Sequence, residues 1–125
     1  MGLDMYLFRK EQDNSSDDDM VEVGYWRKAN AVHNWFVKIV QGGTDDCGTY
    51  PVDITLLVTL RNICREVLAH RHMAQILLPT QSGFFFGGTD YGDSYFYDVE
   101  RTVEILTSVI ESSSPDEVYY YHASW

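Results

Sequence analysis

Between Tyr25 and Trp35 the chain reads YWRKANAVHNW, a Trp-flanked run holding two amides, an imidazole and two cations. On a helix, Trp26, Asn30, His33 and Val37 fall at intervals of four, three and four, so they share one flank beside the apolar stripe. That set suits a polar ligand. The indole offers a stacking face, the amides give directed hydrogen bonds, and Arg27 or Lys28 near a helix N-terminus can meet an anion. The same residues also suit a plainer duty, in which Asn30 and His33 satisfy backbone groups of a neighbouring loop.

A second chemically loaded stretch, LLPTQSGFFFGGTDYGDSYFYD, covers residues 77–98. Leu77, Leu78 and three phenylalanines cannot all face water without making a sticky patch. Part of the Phe84–Phe86 run is therefore expected in the core, with the rest walling a cleft or contact surface. Tyr91, Tyr95, Phe96 and Tyr97 add rings, the tyrosines among them with polar handles, a composition favoured at recognition surfaces. The candidate binding site combines Trp26, Arg27, Asn30 and His33 with Gln81, Ser82, Phe84, Phe85, Phe86, Tyr91 and Tyr95.

Catalytic and cofactor signatures are weak throughout. The histidines at 33, 70, 72 and 122 and the cysteines at 47 and 64 form no CxxC, no HExxH and no pair of ligand motifs, so no metal site is expected. Ser82 lacks the Gly-x-Ser-x-Gly elbow. Cys47 stands beside Asp45 and Asp46, whose charge opposes a thiolate nucleophile. There is no GxGxxG and no Walker loop, so no nucleotide cofactor is indicated. The acidic run at 11–19 is not a calcium loop, since counting from Asp13 the sixth position is Asp18 and the twelfth is Gly24. Carboxylate pairs for glycoside chemistry are not signalled. The reading leans away from an enzyme.

Charge narrows the partner class. Nineteen acidic residues against nine Lys and Arg give a net charge of −10. Such a chain repels phosphate backbones, so direct nucleic-acid binding is not expected, whereas a basic surface on another protein would attract it. Asp17, Asp18 and Asp19 are the densest part of that acidic surface. No stretch approaches the ~18 apolar residues of a membrane span, and the opening MGLDMYLFRK has neither a signal-length apolar run nor a myristoylation pattern. A cytoplasmic protein with free thiols is expected.

These residues need a scaffold. Leu3 to Arg9 alternates as a strand, and Met20 to Tyr25 reads as a second strand or the run-in to a helix. Helical periodicity covers 27–41, stopped by Gly42-Gly43, and 54 to about 71, capped by Asp53. A third helix is expected from an Asp98 cap to about Ser112, with 44–50 a loop. The β-rich end, EVYYYHASW, needs a strand partner, and the first strand is the obvious one. The expected fold is α+β: a small antiparallel sheet, with the N-terminal and C-terminal strands paired, packed with about three helices. Residues 1–125 form a single domain with a flexible acidic loop at about 11–19.

Five linked segments carry a resemblance: GLDMYL at 2–7, EVGYWRKAN at 22–30, His33-x-Trp35-Phe36, Asp46-Cys47-Gly48 and LLPTQSGFFFG at 77–87. Together the chain resembles a family of small, largely uncharacterised bacteriophage and prophage proteins, the Asp-rich insert at 13–19 standing outside the pattern. The resemblance implies a setting rather than a mechanism: an accessory protein acting in the cytoplasm of a bacterial host. By analogy it implies counter-defence, as an anti-CRISPR protein or another inhibitor or sequestering antagonist of a host defence factor, a nucleic-acid-binding protein among the possible targets. The alternative is a small-ligand or nucleotide-binding protein, or an uncatalogued enzyme, with its pocket between the 26–34 helix and the 80–87 loop. The oligomeric state is left open.

Overall fold

The computed structural model describes residues 2–11, 20–83 and 87–125. Asp17, Asp18, Asp19, Phe84, Phe85 and Phe86 lie outside the described residues.

Alternation writes the first strand. In β1 (Asp4–Glu11) Met5 and Leu7 are fully buried, while Tyr6 and Phe8 point the other way and are half-buried. β2 (Val21–Arg27) runs antiparallel along one side of β1, with an irregularity between Leu7 and Phe8. β4 (Glu117–Ser124) runs antiparallel along the other side, Met5 facing Ala123 and Leu7 facing Tyr121. β3 (Thr49–Val52) joins the outer side of β4 and gives the order β2-β1-β4-β3. Its Pro51 lacks a donor, which an edge strand tolerates and a central strand does not.

Four helices complete the described α+β fold: α1 (Asn30–Ile39), α2 (Ile54–Ala69), the single turn α3 (Ala74–Leu77) reached through a 3-10 turn at Arg71–Met73, and α4 (Asp93–Glu111). Leu57, Leu60, Cys64 and Val67 recur at three and four along α2 and are buried against α4, whose buried stripe is Tyr95, Val99, Thr102, Leu106 and Val109. Asp53 caps α2 as expected, its carboxylate accepting from the Thr55 amide at 2.9 Å. α1 behaves differently, because Asn30 through Val37 are all buried and only Lys38 and Ile39 at its end are exposed. Phe36 lies flat on Tyr121, with ring centroids 3.8 Å apart.

Three expectations are corrected. Trp26 and Arg27 close β2 instead of opening a helix. The Trp26 side chain is 1% exposed, pairs opposite Met5 and donates its indole N–H to Thr102 of α4 at 2.9 Å, so sheet burial overrides helical spacing. Thr49 and Tyr50, expected in a loop, enter β3. α4 starts at Asp93, and Asp98 therefore lies within the helix, not at its cap. No helix among the described residues is long and apolar enough to cross a membrane.

Candidate functional site

The strand-to-helix passage at the end of β2 sets the first wall. Lys28 takes a left-handed conformation (φ 57), its amide donating to Leu3 O at 2.7 Å, and Ala29 leads into α1. Gly87 (φ 82) comes against this corner. A Cβ there would stand 3.3 Å from that of Lys28, so the close approach favours glycine at a φ that glycine also tolerates best.

Asn30 then ties this corner to the 80–91 segment. Its Nδ2 donates to Gly88 O at 2.7 Å, and its Oδ1 accepts from the Gln81 amide at 3.0 Å. One buried amide thereby satisfies backbone groups on both limbs of the loop. Thr80 repeats the tie further down. Its amide donates to the Tyr91 hydroxyl at 3.1 Å and its own hydroxyl donates to Thr89 O at 3.0 Å. Tyr95 completes the base by donating to Leu78 O at 2.8 Å.

These ties leave a cleft of about 730 Å³. One wall is Arg27, Lys28 and the first turn of α1. The other is Asp90 and the first turns of α4, including Asp93, Tyr97 and Asp98. Cations and carboxylates thus both line it. Arg27 is already paired with Asp4 at 2.7 Å. Tyr97, at 62% exposure, is the large ring at the mouth. Asp98 is half-buried, and no hydrogen bond or ion pair holds its carboxylate among the described residues. Burial pushes its carboxyl up to about 6, and the positive charge of Arg101 offsets this only in part.

The predicted site residues divide. Arg27 and Asn30 reach the cleft, and Asn30 meets Gln81 as anticipated, as a structural clamp. Gln81 and Ser82 are exposed. Trp26 is withdrawn into the core. Tyr91 and Tyr95 were expected at a recognition surface, but their hydroxyls are engaged in pinning the loop, and Tyr95 is only 6% exposed. Asp90, Asp93, Tyr97 and Asp98 were missed as a set. The four-three-four-three stripe from Tyr95 to Val109 holds the signal that α4 begins before Asp98.

His33 turns away from the cleft. Its Nδ1 lies 2.6 Å from the Tyr121 hydroxyl and its Nε2 lies 3.0 Å from Asp45 Oδ1. The order carboxylate, imidazole, hydroxyl is that of a nucleophile relay. Tyr121 is wholly buried, however, and burial raises its hydroxyl well above the ordinary range, with the charge of Asp45 adding to the effect. It stays protonated and out of reach of substrate. Cys64 is likewise a core residue, its thiol pushed up to about 12 by burial. No group of three or more potential ligands for a metal occurs among the described residues.

Comparison with family models, with curated proteins and with solved structures finds no match to this chain.

Proposed function

We propose that this protein works by binding, as an acidic antagonist that captures a basic surface of a bacterial protein in the setting that the phage-protein resemblance implies. Asp98 carries this reading. A half-buried carboxylate with no hydrogen bond or ion pair among the described residues has lost part of its hydration, which the charge of Arg101 repays only in part, and a guanidinium or ammonium group entering the cleft would supply what is missing. Exposed Tyr97 beside it offers a ring to the same cation, and the net charge of −10 draws a basic partner toward it. A host protein that binds nucleic acid is the natural bearer of such a surface.

The test is capture from bacterial lysate at low salt with the wild-type protein and Asp98→Asn, followed by a titration of the purified partner. The expected result is one partner, bound by the wild type and lost at least tenfold in affinity by the variant. Equal binding by the two proteins, or no partner at low salt, overturns the proposal.

A second reading places a small ligand in the same cleft. It is favoured by the basic wall of Arg27 and Lys28 and by the first turns of α1 and α4, neither of which has a side-chain cap. A thermal-shift panel of nucleotides separates the two, since a ligand at 100 times its Kd adds roughly 2.7 kcal/mol of stability. A flat panel leaves the protein partner as the reading.

A further inference from the structure

Asp45 is the meeting point of segments distant in the chain. Its Oδ1 accepts from His33 of α1 at 3.0 Å and from the indole N–H of Trp125, just past β4, at 3.1 Å. An ionised carboxylate only accepts, so Nε2 of His33 carries the hydrogen and Nδ1 accepts from Tyr121 of β4. Both ring nitrogens of His33 and the Tyr121 hydrogen are thereby used while the imidazole is neutral.

We propose that the Asp45–His33–Tyr121 line is a pH-sensitive latch, which holds the loop carrying Asp45 and the Trp125 side chain against the body at neutral pH and releases them on acidification. A second proton has only Nδ1 to occupy, where the Tyr121 hydrogen already points. Tyr121 would then have to turn its hydroxyl away, and it has no other hydrogen-bond partner among the described residues. Its ring is fully buried and stacked within 6° on Phe36, so it cannot move aside. The titratable groups that meet the imidazole among the described residues are Asp45 from the loop and Tyr121 from β4. Asp45 favours the cation, but burial of a ring that is 1% exposed is the larger influence and holds His33 below the ordinary histidine range. A base with a depressed folded pKa destabilises the closed form as the pH falls through its unfolded value, about 6.5. Opening the loop lets the imidazolium reach water.

The chain carries its own reporters. Cys47 is half-buried in the loop, and Cys64 is fully buried in the core. Labelling of each thiol with a pyridyl disulfide is followed from pH 7.5 to 5, every rate being divided by that of free cysteine at the same pH. The corrected Cys47 rate is expected to climb by up to roughly tenfold per pH unit below the histidine range while Cys64 stays protected. In His33→Gln the Cys47 rate should be flat with pH. Joint labelling of both thiols, or a Cys47 rate that does not respond in the wild type, overturns the latch. Should the variant fail to fold, NMR titration of wild-type His33 decides: a midpoint below about 6.5 supports the latch and one above it refutes it.

Discussion

On the proposed reading, Asp98 sets binding against stability within one residue. Its folded carboxyl lies at about 6, against about 3.9 in an unfolded chain. An acid whose folded value is the higher favours folding only while protonated. Its contribution is complete below about pH 4 and is lost as the pH rises through about 6. The two-unit difference corresponds to about 3 kcal/mol in full, and partial contact with water reduces it to about 1–2 kcal/mol. Asp98→Asn should therefore stabilise the protein by about 1–2 kcal/mol at pH 7.5 in urea denaturation and lose that gain at pH 4. The same variant is expected to lose the basic partner. Stability gained with binding lost identifies a residue kept for function, whereas an unchanged urea midpoint at pH 7.5 would remove the physical basis for giving Asp98 that role. Asn30 makes the contrasting case, since both of its amide atoms are already spent on the loop and leave little for a ligand.

At the scale of elements, the crossing of α4 over β2 decides where the cleft forms, and Gly24 permits that crossing. A Cβ at position 24 would stand 2.8 Å from Cγ2 of Ile105 and 3.3 Å from the Trp26 ring. Gly24→Ala is thus expected to cost roughly 1–3 kcal/mol through overpacking. Ile105→Ala removes the colliding methyl, so the double variant should be more stable than the sum of the single ones by about 1 kcal/mol or more. Additive losses in a chemical-denaturation cycle would show that helix and strand do not meet there. The elements themselves were legible in unequal measure. The alternation of β1, the Asp53 cap and the stripe of α2 follow from local rules, and the pairing of β1 with β4 follows from the need of a β-rich end for a partner. Trp26 was misread because Trp26, Asn30 and His33 have true helical spacing, and only the Lys28 turn, held by Leu3 from far away in sequence, separates strand from helix. β3 was missed because a proline and a four-residue length are poor strand signals. Asp98 looked like a cap because aspartate commonly caps, while the earlier start of α4 is fixed by Tyr95 reaching Leu78. For Trp26 and β3 the deciding contact is nonlocal and periodicity does not carry it, whereas the stripe from Tyr95 does mark the earlier start of α4.

For the whole molecule, a net charge of −10 on a chain of this size acts on folding and binding with opposite signs. Like charges brought together in the compact state repel, so salt that shortens their reach favours folding. The Debye length falls from about 30 Å at 0.01 M to about 10 Å at 0.1 M. The attraction between an acidic protein and a basic partner is screened by the same ions. Raising sodium chloride from 20 to 300 mM should therefore raise the urea midpoint of the free protein and weaken partner binding, chiefly by slowing association. Half-buried Asp98 sharpens the prediction, because a pair it forms with an entering cation is partly shielded from bulk ions. Asp98→Asn should speed dissociation at every salt concentration and leave the salt slope of association nearly unchanged. Stopped-flow association and dissociation rates, measured across that range for both proteins, separate long-range steering by the surface from capture in the cleft. Equal dissociation rates for the two proteins would place the contact on the general acidic surface and away from the cleft.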